Sequence, residues 1–144
     1  MNYDIISRRF SRKIISIKQP NDVFQFLKKY SHSRQEQFLV ITLNRSHYII
    51  EVYISTIGLS YKTIVHPREV FIHLIKDNSF SFLVAHNHPS GHLEPSEEDK
   101  DITKTLLKSS RILGFSFLDH IIFSKNGYYS FRENEIVFKK RKRL

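Results

Sequence analysis

The stretch that most strongly constrains the fold is residues 84–99, VAHNHPSGHLEPSEED. It begins at the end of the run SFSFLVAH, which is apolar at both odd and even positions. Such a run is typical of a central β-strand that is covered on both faces. A Pro, Ser and Gly turn follows, and then acidic residues that open an amphipathic segment. The stretch therefore predicts a strand, a turn and a helix in direct succession.

The two histidines of this stretch are placed to act together. His86 and His88 lie two residues apart, so on extended backbone their side chains point to the same side, while Asn87 points away. Imidazole nitrogens are ligands for zinc, and a third ligand is available if Asp99, in the first turn of the helix, faces the strand end. However, Ser96 and Asp99 also match the S-x-x-[DE] capping motif. A metal site and a polar turn with a helix cap both remain open.

The rest of the chain predicts an α/β (α+β) domain in which a β-sheet is flanked by helices. Apolar residues at i, i+3, i+4 and i+7 indicate a first helix over residues 21–32, and Pro67 suits the start of a second. That second helix is expected to be largely buried, with Val70, Ile72, Leu74 and Ile75 inside. The remaining elements are two β-rich runs over residues 36–44 and 47–58, a third helix over 96–113, and a final hairpin around the turn at 125–127.

Length and composition limit the class of protein. With 144 residues, 12 Phe and 7 Tyr, the chain is sufficient for one domain with its own core. We place this domain at residues 21–138, between a basic lead (1–20) and a basic tail (139–144). The absence of cysteine excludes disulfides, thiolate ligands and cysteine nucleophiles. No signal-peptide pattern or long apolar run is present, so we expect a soluble, cytoplasmic protein with no membrane partner.

The charge of the chain is concentrated at its C-terminus. The formal net charge is +9, and five units come from consecutive residues: Lys139, Lys140, Arg141, Lys142 and Arg143. One interpretation is a solvated terminus, because blocks of like charge repel and seldom become ordered. The other is an arm that contacts the phosphates of nucleic acid without sequence preference.

Deletion of residues 139–144 separates these two interpretations of the tail. If the tail contacts phosphates, the deletion should reduce the slope of log affinity against log salt by about 0.9 for each lost contact. Fluorescence anisotropy with a labelled DNA duplex at several salt concentrations measures the slope. A tail of the same composition in scrambled order is the matched control and should retain it. An unchanged slope after deletion would leave the tail as a solvated terminus.

Several separated motifs, read together, resemble one known family. HNHPSGHLEPSEED is similar to the signature of the JAMM metalloproteases (MPN-plus or JAB domains): H-x-H, ten residues, then D, with a serine three residues before the aspartate. VHPREVF, AHNHPSG, PSEED and LDHIIF occur in the order found in the bacterial RadC branch of that superfamily. The resemblance covers residues 34–131, approximately. It implies a single JAB/MPN-like domain with a curled mixed β-sheet between helices, a layout similar to that of cytidine deaminases.

The resemblance also implies a role for each matching residue. His86, His88 and Asp99 correspond to the metal ligands, with water as the fourth and one Zn²⁺ per chain, although other divalent ions accept the same ligands. Glu36 corresponds to the general base. Ser96 corresponds to the serine whose hydroxyl steadies the tetrahedral intermediate, so we do not expect it to serve fully as a helix cap as well. The implied activity is hydrolysis of a peptide or isopeptide bond in an unidentified peptide or protein.

The basic charge allows a second class of function, and several polar residues are expected to lie outside the metal site. The alternative is a DNA-associated accessory protein of repair or recombination, in which the metal site is structural or vestigial. Asp119 and His120 are expected to form a structural hydrogen-bonding pair. The remaining histidines and one glutamate are expected to be rim or background residues: His92 and Glu94 at the solvated rim of the turn, His66 near the second helix, and His32, His47 and His73 on the surface.

Overall fold

The computed structural model describes residues 15–31, 33–57, 65–134 and 138. Most of the basic lead, residue His32 and the basic tail from Lys139 onward lie outside the described residues. Ile15 and Ile17, at the described end of the lead, make backbone hydrogen bonds with residues 47 and 49, and Ile17 is buried. Among the described helices, none combines the length and apolar character that a membrane span requires.

Within the described residues, three helices flank one five-stranded mixed sheet, which confirms the predicted fold class. In chain order the elements are α1 (Pro20–Leu27) with a 3-10 turn (Lys28–Tyr30), β1 (Gln37–Leu43), β2 (Ile49–Ile57), α2 (Pro67–Lys76), β3 (Ser81–Asn87), α3 (Glu97–Leu113), β4 (Ser116–Ser124) and β5 (Gly127–Ser130). The strand order is β2-β1-β3-β4-β5. Only β3 and β4 are parallel, and α3 is the crossover between them.

Both faces of the sheet are covered, which explains the apolar strands. Along β1, Phe38 and Val40 belong to the core cluster that contains residues of α2 and α3, whereas Leu39 and Ile41 belong to the cluster that contains residues of α1. This alternation follows from the period of two in a strand. All seven residues of β3 are buried, as predicted for a central strand, so the end of β3 is a firmly packed support for His86 within it and for His88 just beyond it.

The prediction that α2 is largely buried is wrong on one face. Ile72 and Ile75 are 49% and 67% exposed, while Val70, Phe71 and Leu74 are buried. A helix with 3.6 residues per turn that packs on a single sheet can direct only one stripe of side chains inward. The two isoleucines lie outside that stripe.

Two smaller expectations also differ from the structure. The first helix ends at Leu27 and tightens into a 3-10 turn, instead of continuing to residue 32. His73, expected on the surface, is buried and stacks on Tyr53 with ring centroids 4.0 Å apart. Burial lowers the pKa of His73, so this histidine belongs to the packed side of α2.

Candidate metal centre

Four potential metal ligands converge at the end of β3. Glu36, His86, His88 and Asp99 each offer one ligand atom, and these atoms lie within 4.8 Å of one another. The Nε2 atoms of His86 and His88 are 2.8 Å apart. The carboxylate of Asp99 lies 3.2 Å from Nε2 of His86 and 3.5 Å from Nε2 of His88. The fold therefore brings together the three residues that the strand–turn–helix pattern put forward and one that lies fifty positions upstream.

The two histidines point the same way because the backbone remains extended beyond the last residue of β3. The N–H of His88 donates to the carbonyl of Phe123 on β4 at 3.0 Å, so pairing with the neighbouring strand continues to His88. Alternation then places His86 and His88 on one side and Asn87 on the other. His86 is 2% exposed and His88 16% exposed, so one imidazole is internal and the other lies at the edge of the cleft.

The turn after β3 orients the His88 ring. Nδ1 of His88 lies 2.7 Å from the carbonyl oxygen of His92, and a carbonyl only accepts, so Nδ1 carries the proton. Without a metal ion, a second proton on Nε2 of His88 is shared with Asp99 and with Nε2 of His86; once that proton is lost, the Nε2 lone pair is available to a metal ion. Burial lowers the pKa of His88, but the hydrogen bonds with Asp99 and the His92 carbonyl, together with nearby carboxylates, outweigh it and raise this pKa. The site thus attracts positive charge.

Gly91 is required for this turn, and its replacement by alanine should weaken metal binding. Gly91 has φ +88°, and a Cβ there would lie 2.9 Å from Nδ2 of Asn126. That nitrogen also lies 3.4 Å from the carbonyl oxygen of Gly91, so we expect its displacement, together with the strain of alanine at a positive φ, to shift the neighbouring His92 carbonyl, the acceptor for His88. Loss of such a supporting contact typically costs 10- to 100-fold in metal affinity, and we expect Gly91→Ala to fall in about that range in a chelator competition assay.

Gly114→Ala is the matched control for the turn. Gly114 also has a positive φ, +81°, but its Cβ would meet nothing within 4 Å, and it caps the far end of α3. It therefore reports the general cost of alanine in the left-handed region without touching the site. If Gly91→Ala and Gly114→Ala bind zinc equally tightly, the turn does not orient His88.

Asp99 holds the helix cap and faces the histidines at the same time. Its Oδ2 accepts from the N–H of Ser96 at 2.8 Å, and its own N–H donates to Oγ of Ser96 at 3.1 Å. The expectation that Ser96 would not serve fully as a cap is wrong, because this is a complete capping box. A carboxylate has about four lone-pair sites, so capping leaves acceptor capacity toward the histidines.

The electrostatics of Asp99 agree with this double role. Burial raises the pKa of Asp99, but hydrogen bonds with His86 and His88 outweigh it and hold the pKa well below its usual value. The carboxylate is therefore ionised throughout the neutral range. Ser96 uses its oxygen as an acceptor for the cap and retains its hydroxyl proton to donate elsewhere.

Asn87, whose side chain points away from the two histidines, fixes the backbone around Glu36 at the mouth of the site. Glu36 precedes β1 by one residue, and its Oε1 lies 3.8 Å from Nε2 of His86. The buried side chain of Asn87 accepts from the N–H of Gln37 at 2.6 Å and donates to the carbonyl of Gln35 at 3.0 Å. Asn87 thus clamps both neighbours of Glu36, while the Glu36 side chain itself remains 44% exposed.

A cleft of about 510 Å³ opens beside the four residues. Glu36, His86, Ser96 and Asp99 form part of its wall. The remaining wall is partly apolar and partly acidic: Phe38, Val65, His66, Pro67, Glu98, Asp101, Ile102 and Thr105. His66 occupies the N-cap position of α2 without a side-chain cap bond. Its place in the cleft wall had no signal in the sequence.

The chemistry of the four residues suits a cation. His88 contributes a nitrogen lone pair and Asp99 an ionised carboxylate, and both face Nε2 of His86 at short range. Two ligand atoms bound tetrahedrally at ~2.0 to 2.1 Å from zinc would be about 3.3 Å apart. The distances from Asp99 to the two histidines, 3.2 and 3.5 Å, are close to this value, and the 2.8 Å between the two Nε2 atoms is shorter. The His, Asp and Glu cluster can therefore bind a metal ion, and His92 and Glu94, both exposed, are not part of it.

Asp119 and His120 pair through the backbone and not through their two side chains. Oδ1 of Asp119 accepts from the N–H of His120 at 2.7 Å, and the carboxylate also bonds with Ser130 and with the backbone of Arg132, while the His120 ring points to the opposite face of β4. Burial raises the pKa of Asp119 to about 6 against these hydrogen bonds. His120 is fully buried and lies 2.8 Å from His86 and 2.6 Å from Thr103. Sequence reasoning missed the link between His120 and the site.

Comparison with known proteins now identifies the family. The family model described as a RadC-like JAB domain matches residues 17–136. The chain belongs to the RadC family. This RadC-type domain is 40% identical over 124 residues to the UPF0758 protein STH371 of Symbiobacterium thermophilum, a match that covers 85% of this chain and 53% of that protein.

Further relatives give the same picture. A UPF0758 protein of Alkaliphilus metalliredigens is 42% identical over 122 residues, covering 84% of this chain and 53% of the relative. One of Clostridium tetani is 37% identical over 123 residues, covering 85% and 54%. The RadC-type chain therefore spans about half the length of the curated relatives it matches. The family-model match over residues 17–136 spans the positions of all four clustered residues.

Proposed function

We propose that this RadC-type domain is a zinc-dependent hydrolase that cleaves a peptide or isopeptide bond. The observation that carries the proposal is the convergence of Glu36, His86, His88 and Asp99 beside an open cleft. Three of these residues match the ligand positions of the JAMM signature, and the fourth is an acid that is more exposed than the other three. A catalytic zinc site has three protein ligands and an open position, and a set of three ligands with an additional acid beside a cleft supports a site of this kind.

The proposed roles follow from the position of each side chain. His86, His88 and Asp99 would hold zinc, which when bound supplies a water of lowered pKa and a Lewis acid for the substrate carbonyl. Glu36 would accept the proton of the attacking water and return it to the departing amine. Ser96 would donate its hydroxyl proton toward the developing oxyanion, since its oxygen already serves the cap. All of these residues except His88 line the same cleft.

The cleft supports an amide substrate in an extended segment of peptide. Phe38, Val65 and Ile102 offer apolar contacts, and Glu98 and Asp101 add negative charge to the same wall. We also propose that the protein acts in the bacterial cytoplasm, since the relatives described above are bacterial. The test is amide hydrolysis by the zinc-loaded protein against a panel of peptide and Lys-linked isopeptide substrates, with Glu36→Gln in parallel.

The charge of the chain favours a second candidate function. A net charge of +9 with a five-residue basic tail suits non-specific contact with nucleic acid. In that case the domain would act as a DNA-associated accessory protein of repair or recombination, and metal would serve structure. Deletion of residues 139–144 tests this candidate separately from the hydrolase, because it removes none of the described residues that line the cleft.

A further inference from the structure

A line of three short contacts runs from the metal centre into the core. Nδ1 of His86 lies 2.8 Å from Nε2 of His120, and Nδ1 of His120 lies 2.6 Å from Oγ1 of Thr103. Oγ1 of Thr103 in turn lies 2.6 Å from the carbonyl oxygen of Asp99. The line begins at one proposed ligand and ends on the backbone of another. The functions discussed above use neither His120 nor Thr103.

We infer that His120, itself set by Thr103, is a positioning residue that keeps the proton of His86 on Nδ1 and so leaves Nε2 free to bind metal. The inference rests on the proposed metal site and adds to it a means of selecting the productive form of His86. A neutral imidazole has one N–H and one lone pair, and only the form with the lone pair on Nε2 can bind an ion from within the cluster.

The hydroxyl group of Thr103 determines which atom is the donor in each of these hydrogen bonds. Two oxygens 2.6 Å apart need a hydrogen between them, and the carbonyl of Asp99 has none to give. The single hydroxyl proton of Thr103 is therefore donated to that carbonyl. The contact between Thr103 and His120 also needs a hydrogen, and only Nδ1 of His120 remains to supply it. His120 thus carries its proton on Nδ1.

The same assignment of hydrogens applies to the contact between His120 and His86. His120 is fully buried, and burial disfavours the charged imidazole, so in the neutral ring Nε2 of His120 is an acceptor. The contact at 2.8 Å must take its hydrogen from Nδ1 of His86. Nε2 of His86 is left with its lone pair, which faces Asp99 and His88.

Packing prevents His120 from leaving this arrangement. Its ring stacks on Phe131 with centroids 4.7 Å apart and an interplanar angle of 10°. Phe38 meets the same ring edge-on at 6.0 Å. His88 is also protonated on Nδ1, but there the acceptor is the backbone carbonyl of His92. Both imidazoles therefore present Nε2 to one point.

Zinc affinity tests the inference through two pairs of variants. His120→Phe keeps an aromatic ring but removes the acceptor, and Thr103→Val keeps the shape but removes the hydroxyl; each should weaken zinc binding about 10- to 100-fold in chelator competition. His120→Gln and Thr103→Ser place an acceptor and a hydroxyl back, and should recover most of the loss. Thermal unfolding of the metal-free proteins identifies any variant that fails to fold.

A spectroscopic readout separates positioning from mere packing, and from the proposed function itself. In metal-free wild-type protein, long-range ¹H–¹⁵N NMR of the imidazoles should show His86 protonated on Nδ1, and His120→Phe should lose that signature. A folded His120→Phe that retains both the signature and wild-type zinc affinity overturns the inference and leaves the hydrolase proposal intact. Wild-type protein that binds zinc and shows His86 protonated on Nδ1, but hydrolyses no amide, overturns the function and leaves the inference intact.

Discussion

Glu36→Gln is expected to bind zinc as tightly as the wild type and to lose amide hydrolysis by about 10² to 10⁴-fold. Glutamine keeps the size of the side chain and the exposed position at the mouth of the cleft, but it cannot accept a proton. Glu36 is the most exposed of the four clustered residues and its carboxylate is 3.8 Å from His86. It is therefore the member whose loss should affect turnover and spare the metal. Turnover and zinc content are measured on the same preparation.

Glu94→Gln is the matched control for Glu36. Glu94 lies in the exposed turn between β3 and α3 and is outside the four-residue cluster, so the same chemical change there should leave turnover unaffected. If Glu36→Gln turns over substrate at the wild-type rate, Glu36 is not the base. If it loses zinc along with activity, Glu36 acts as a ligand and not as a proton acceptor.

Asp99→Asn is expected to weaken zinc binding by about 100-fold or more. Apparent binding free energies of structural zinc sites are roughly 10 to 16 kcal/mol over four ligands, or about 3 kcal/mol for each. Asparagine removes the charge that both histidines face and replaces one oxygen by an N–H₂ group. Its remaining oxygen can still accept from the N–H of Ser96, so α3 should keep its cap. Chelator competition measures the affinity.

Asp101→Asn is the control for this change in charge. Asp101 lies two residues further along α3 and lines the same cleft, but it is not one of the four clustered residues. It should bind zinc as the wild type does. Equal affinities for Asp99→Asn and Asp101→Asn would reduce Asp99 to a capping residue. Similar thermal unfolding of the two metal-free variants would show that the loss of affinity is not a loss of fold.

The sequence predicts those parts of the site that are close together along the chain. The alternation of residues 81–88 predicts that His86 and His88 are co-directional, and the turn predicts that Asp99 can reach them. The choice between cap and ligand could not be decided from the motif, because both readings use one carboxylate. In the structure Asp99 faces the histidines while it completes the capping box.

Other parts depend on contacts between distant residues. Glu36 enters through the pairing of β1 with β3, in which Phe38 lies opposite His86, and only the family resemblance pointed to it. His120 enters through the parallel pairing of β3 with β4, in which Val84 lies opposite His120. Because side chains alternate along a strand, Asp119 and His120 must point to opposite faces of the sheet. Which of them points toward the metal centre depends on the register between strands, which is a tertiary property. The sequence of α2 likewise did not reveal that Ile72 and Ile75 would lie on the exposed face of the helix.

Zinc content of the purified wild-type protein tests the central claim most directly. The chain has no cysteine, so zinc bound stoichiometrically reports on histidine and carboxylate ligands alone. Elemental mass spectrometry after desalting without chelator, with His88→Ala in parallel, is the measurement. We expect one zinc per wild-type chain and a marked loss in His88→Ala. Wild-type protein without stoichiometric zinc, or a variant that holds as much, would contradict the account of residues 84–99 as part of a metal centre.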